Sequence, residues 1–182
     1  SNNMGLMSTA KRCVVYIADK LARNKFGSRL IDQLIMAGMS RQQNVEHVGV
    51  KMTFGIPNSL CSYRATSFAS KEPETLLWLE EMPKGCIFWD IGANIGLYSI
   101  YAALKRDASV IAIEPSFFNL EMLARNIVNN RVERRISIIP LAVSDTMGIK
   151  SFNMSNTTWG GALSTFGEEF DQSGHKFTPM IK

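Results

Sequence analysis

Residues 86–99 read Cys86-Ile87-Phe88-Trp89-Asp90-Ile91-Gly92-Ala93-Asn94-Ile95-Gly96-Leu97-Tyr98-Ser99. An apolar run ends in a carboxylate, a glycine-bearing turn follows at once, and Leu97, Ile100, Tyr101 and Leu104 then recur at helical steps. The order is strand, tight turn, helix. Glycines at such a turn permit backbone angles closed to other residues and remove the Cβ atoms that would keep a ligand away, while the helix start presents unpaired N–H groups to negative charge. The segment is suited to a nucleotide-like cofactor.

Working outward, the same alternation repeats. Ser109 to Ile113 is a β-branched run ending at Glu114-Pro115, Phe118 to Asn129 has helical spacing with Leu120, Leu123, Ile127 and Val128 inward, and Ile136 to Val143 reads as a third strand. Strands of this kind alternating with helices predict a Rossmann-like, doubly wound α/β fold with a mainly parallel sheet covered on both faces. Asp90 and Glu114, 24 residues apart, then emerge side by side at the carboxyl edge, where such sheets bind ligands. An acid at the end of the second strand can accept bonds from both ribose hydroxyls. The turn itself is a GxNxG pattern of Gly92, Asn94 and Gly96, with Leu97 where a dinucleotide motif would want its third glycine. Asn94 suits a left-handed turn position. Phe88, Trp89, Tyr98 and Tyr101 read as core rather than as a substrate platform.

Ahead of the turn, apolar residues between 9 and 37 recur at three and four residue steps, predicting one or two amphipathic helices divided near Gly27-Ser28 and capped by Gly38. Residues 45–54 approach alternation, and Gly55 with Pro57-Asn58 supplies a turn before a second extended piece, Leu60 to Arg64: a small β hairpin. Pro73 opens a helix to about Met82, with Glu72 and Glu74 at its start. Past Asp145, Gly148 to Met154 could add one strand, and Ser155 to Gly174 is polar and glycine-rich with Trp159, Phe166 and Phe170 as isolated anchors. Two regions follow: residues 1–64, basic helices plus hairpin, and residues 65–182, the cofactor-binding domain.

Charge divides the same way. Residues 1–64 hold nine Lys/Arg against three acids, a local +6 within an overall +4. Such a front end suits an acidic partner or an acidic membrane surface, or is a solvated helix face; aromatic residues do not interleave with the charges, so no nucleic acid partner is expected. No apolar run reaches the roughly 20 residues of a bilayer span, and the N-terminus lacks a signal core, so a cytoplasmic protein without a transmembrane segment is expected. Ser1-Asn2-Asn3 ahead of Met4 is set aside as an expression remnant. Cys13, Cys61 and Cys86, widely spaced with no CxxC, read as buried free thiols, and no metal site is expected.

Asp90 to Ser99, Ile113-Glu114-Pro115, Asn126 with Asn129, Ala142-Val143-Ser144-Asp145 and the lead-in Ser67 to Thr75 together resemble the FkbM-type S-adenosylmethionine-dependent methyltransferases. The resemblance covers roughly residues 65 to 155. It implies that Gly92, Asn94 and Gly96 lie against the methionine part of S-adenosylmethionine, that Asp90 orients its amino group and that Glu114 holds the ribose. Asp145 is a candidate for approach to the adenine, or a turn former before Thr146-Met147-Gly148. The family transfers methyl groups to hydroxyl oxygens of sugars or natural products, implying a small-molecule or saccharide acceptor. His47, His175 and Asp145 are weak candidates for a base, and no catalytic residue is assigned. Family members go on to an Asp-x-Glu-Gly type motif and a seven-stranded sheet, which implies an incomplete methyltransferase fold, either C-terminally truncated or completed at its edge by a partner. An unfinished parallel sheet leaves an apolar face and an open edge, which favours a homo-oligomer. Against the enzyme stands a catalytically inactive methyltransferase-like module that attaches to a partner or an acidic membrane through its basic helices.

Overall fold

The computed structural model describes residues 2–148, 151–154, 156–162 and 164–166. In chain order the elements are α1 (Asn2–Ala22), α2 (Lys25–Met39), β1 (Gln42–His47), β2 (Val50–Gly55), α3 (Ser59–Thr66), α4 (Phe68–Lys71), α5 (Pro73–Glu81), β3 (Ile87–Ile91), α6 (Leu97–Arg106), β4 (Ser109–Ile113), α7 (Phe117–Asn129), β5 (Ile136–Ile139), β6 (Phe152–Asn153) and β7 (Thr165–Phe166). The fold is α/β, built on a parallel sheet of order β3-β4-β5. No helix among the described residues is long and apolar enough to cross a membrane.

The chain forms two compact units, residues 1–41 and 42–182. In the first, α1 and α2 form a helical hairpin that breaks at Arg23-Asn24 rather than at Gly27-Ser28. Asn24 is the reason: its side chain accepts the Gly27 N–H at 2.8 Å, an N-cap that places Gly27 inside the first turn of α2. Ser40, not Gly38, closes that helix, its hydroxyl donating to Met36 O at 2.7 Å.

The β hairpin, expected with the N-terminal helices, belongs to the second unit. Its turn is Val48-Gly49, both with positive φ, and β1 and β2 pair antiparallel from His47↔Val50 to Gln42↔Gly55. Two asparagines, Asn126 of α7 and Asn130 at its C-cap, explain its seat. The Asn126 Oδ1 accepts from Gly55 N at 2.7 Å and its Nδ2 donates to Ile95 O at 2.8 Å, while Asn130 both accepts from Thr53 N and donates to Thr53 O at 2.8 Å. Leu60 to Arg64, expected as extended chain, is helix α3 instead, because Asn58 caps it by accepting the Cys61 N–H at 2.8 Å.

Pro73 sits at the start of α5, as its fixed φ allows. Pro140, which lacks an N–H, follows β5 at once, so the third strand stops at Ile139 rather than Val143. The side of the sheet bearing Phe88, Asp90, Val110, Ala112 and Ile136 is buried, and the core continues into Ile100, Tyr101, Leu123 and Phe54. Among the described residues the other side of β3 is bare: Ile87, Trp89 and Ile91 are 70%, 61% and 61% exposed, where a sheet covered on both faces was expected. Cys61 is buried and Cys86 half-buried, but Cys13 is exposed. Burial pushes the Cys61 thiol up to about 11.

Candidate functional site

The turn after β3 takes the backbone shape its residues were chosen for. Gly92, Asn94 and Gly96 have φ of 80°, 51° and 87°. Gly92 and Ala93 donate to Ile113 O at 2.8 and 3.0 Å, tying the turn to the end of β4. The two glycines serve different ends. A Cβ on Gly96 would collide with Leu123 Cδ1, so this glycine lets α6 start close against α7; a Cβ on Gly92 would meet nothing within 4 Å. Gly92 therefore leaves open space at the cleft, the form of a cradle for a ligand.

Both strand-end acids are buried at that edge. Asp90 accepts the Ser99 hydroxyl of α6 at 2.5 Å. Burial pushes its carboxyl above the usual 3.8, the Ser99 bonds oppose that rise, and the charges of Glu114 and Glu72 add to it. Glu114 is turned toward backbone. Its Oε2 accepts Asn94 N at 2.8 Å, and its Oε1 accepts Ser116 N at 2.9 Å and Asn119 Nδ2 at 3.3 Å. A carboxylate has about four acceptor positions, so these three bonds fix its orientation and still leave capacity for a ligand hydroxyl.

Two cavities flank the turn and share Gly92, Asn94 and Ala162. The larger, about 490 Å³, is lined by Asp90, Tyr98, Glu72, Lys71 and Trp78 among others. The smaller, about 200 Å³, is lined by Glu114, Pro115, Ser116, Asn119 and Phe152. The Asp90 side and the Glu114 side of the turn are thus neighbouring chambers.

The structure brings Asp90, Gly92, Asn94, Gly96 and Glu114 together. Asp145 is not brought in: it is exposed beyond the end of β5, lines neither cavity, and its carboxylate accepts the Ser144 hydroxyl at 3.2 Å, which fits the turn former. His47 also lies elsewhere, its ring against Phe68 and Tyr101 and its Nε2 3.3 Å from Glu80 Oε1. His175 and Phe170 lie outside the described residues.

Sequence reasoning passed over several wall residues. Tyr98, read as core, lines the larger cavity; burial and the adjacent Glu72 carboxylate, which accepts its hydroxyl, push the phenol well above its ordinary range. Trp89 is exposed rather than core. Asn119 and the Gly161-Ala162 pair gave no signal beyond a glycine doublet beside Trp159.

No protein-family model matches the chain. Over 71 residues, 38% of the chain, it is 35% identical to 31-O-demethyl-FK506 methyltransferase FkbM of Streptomyces tacrolimicus, and spans 26% of that relative's length. Among solved structures it is similar to M. jannaschii TYW2 in complex with AdoMet, 18% identical with a TM-score of 0.41 over 56% of this chain and 43% of that one. It is also similar to precorrin-6y C5,15-methyltransferase from Geobacter metallireducens, 22% identical with a TM-score of 0.35 over 42% of each chain. A SAM-dependent methyltransferase from Agrobacterium tumefaciens is 17% identical, with a TM-score of 0.41 over 54% of this chain and 32% of that one.

Proposed function

We propose that the chain is the cofactor-binding part of an S-adenosylmethionine-dependent methyltransferase. One observation carries the reading: the paired cavities that meet at Gly92 and Asn94, with a buried carboxylate on either side. Asp90 offers negative charge to an ammonium in the larger cavity, and Glu114 offers its remaining acceptor position to a ribose hydroxyl in the smaller one. The identity over 71 residues to the FkbM methyltransferase supports the same reading.

S-adenosylmethionine supplies a methyl group already activated by its sulfonium, so what remains for the chain is to hold, orient and exclude water. Gly92 and Asn94 line both cavities, and Tyr98 with Trp78 walls the larger one. The acceptor we favour is a hydroxyl of a sugar or natural product, methylated in the cytoplasm.

Titration calorimetry with S-adenosylhomocysteine tests the reading. Wild type should bind, and Glu114→Gln, which removes the charge but keeps the volume, should bind about tenfold to a hundredfold more weakly, the span of a hydrogen bond to a charged group. No heat from the wild type, or equal affinity in both, sinks the assignment.

A second reading, attachment without turnover, rests on the first unit. Val14, Ile17, Phe26, Leu34 and Ile35 are exposed on α1 and α2, interspersed with Lys11, Arg12, Lys20, Arg23, Lys25 and Arg29. A basic amphipathic pair of this kind suits an anionic bilayer surface. Sedimentation with phosphatidylserine vesicles should then be strong at low salt and fall at high salt; equal sedimentation with neutral vesicles would count against it.

A further inference from the structure

Between β6 and β7, the segment 156–162 borders the site without belonging to regular structure. Its backbone is taken up by side chains from four other places. Asn58 Nδ2 donates to Trp159 O at 3.0 Å and Arg64 Nε to Gly160 O at 2.6 Å. Gly161 O accepts from both Asn94 Nδ2 at 2.8 Å and Asn119 Nδ2 at 3.0 Å, while Gly160 N donates to Asn119 Oδ1 at 3.0 Å. At its outer end the Trp159 indole donates to Glu121 Oε2 at 3.0 Å, and the ring packs on the cluster of Cys61, Ile95 and Met122. Gly160 has φ of 79°, and a Cβ there would lie 3.3 Å from Cys61 Sγ.

Two of these anchors are also partners of Glu114. Asn94 donates its backbone N–H to that carboxylate and its side chain to Gly161; Asn119, only 3% exposed, divides one amide between Glu114 and the same carbonyl. Ala162, next along, lines both cavities. The segment and the carboxylate are therefore held by one set of donors, and movement of one disturbs the bonds of the other.

We propose that Trp159–Ala162 is a retaining strap of the cofactor site, with Asn119 as the positioning residue that locks it to Glu114. The proposal rests on the reading of the site as one for S-adenosylmethionine. A ligand lying along both cavities leaves only after the strap has given way, so the strap sets how long cofactor or product stays, whereas Asp90 and Glu114 set what is bound. Each neutral bond lost at the strap lowers the barrier to departure by about 1 kcal/mol, roughly fivefold in rate.

Trp159→Ala and Gly160→Val loosen the strap without substituting any residue that lines either cavity. With S-adenosylhomocysteine as the probe, both should speed dissociation about fivefold or more, with association within about twofold of wild type. In the wild type, hydrogen exchange at the Gly160 amide should slow when S-adenosylhomocysteine is bound. Trp159→Phe keeps an aromatic ring against Cys61, Ile95 and Met122 and drops the N–H bond to Glu121, and decides the matter if the other two do not fold. Folded variants that bind and release like wild type overturn the strap and leave the cofactor reading standing. No binding by the wild type removes both.

Discussion

Asp90 reaches its place as the last buried residue of a strand whose alternate side chains face the helices, and its only charged neighbours among those that shift it are two other acids, Glu114 and Glu72. The free protein therefore keeps this carboxyl neutral to a higher pH than an exposed aspartate. An ammonium in the cavity favours the charged form and lowers the pKa, so binding releases protons. Affinity for S-adenosylhomocysteine should rise with pH through the window between the bound and the raised free value and be level above it. Calorimetry in buffers of different ionisation enthalpy measures the release, and Asp90→Asn should abolish the slope. Without ligand the sign reverses: folding favours the protonated form, so stability should fall as pH climbs from the ordinary carboxylate range through the raised value. At this scale Asp90, Gly92, Asn94, Gly96 and Glu114 were legible because acids and glycines at strand ends have few other uses. Asn119 was not, since its partners in the strap lie 41 and 42 residues further on and an asparagine on a helix reads as surface.

The elements owe their seats to asparagines as much as to apolar faces. Asn126 is fully buried and joins the end of β2 to the turn that carries Asn94, so Asn126→Ala leaves Gly55 N and Ile95 O without their partner. The expected cost is about 2–4 kcal/mol, read as a lower urea midpoint with an unchanged slope, and S-adenosylhomocysteine binding should weaken with it because the turn loses its support. The three sheet strands and α5 to α7 could be read in advance from periodicity and from Pro73 and Gly92. Leu60 to Arg64 could not: five residues are too few for a helical period to show, and the capping bond from Asn58 that decides the matter is invisible in composition. The strap escaped for a related reason, as a polar glycine-rich stretch acquires its shape only from side chains elsewhere.

On the scale of the molecule, the sheet has one buried face, and among the described residues the opposite side of β3 is bare. Ile87, Trp89 and Ile91 form a row with Ile111, half-buried, beside them. Such a row should bind an apolar dye such as ANS in the native state, and the double variant Ile87→Lys with Ile91→Lys should reduce that signal while shifting stability by no more than about 0.5–1 kcal/mol, since neither side chain is in the core. Dye fluorescence equal in both proteins would mean that the signal comes from other apolar surface, such as that of α1 and α2. The alternation of Phe88 and Asp90 with Ile87, Trp89 and Ile91 fixed these faces, but the sequence pattern of a strand apolar on both sides says only that both could be buried, not that both are. The wall that the two cavities share has a consequence of its own. Gly92, Asn94 and Ala162 belong to both chambers, so each chamber keeps a complete lining when the other is empty. Adenosine and methionine should then behave as separable fragments that each displace the full cofactor yet tolerate one another, and the gain from joining them would measure the effective concentration that the closeness of the two chambers imposes.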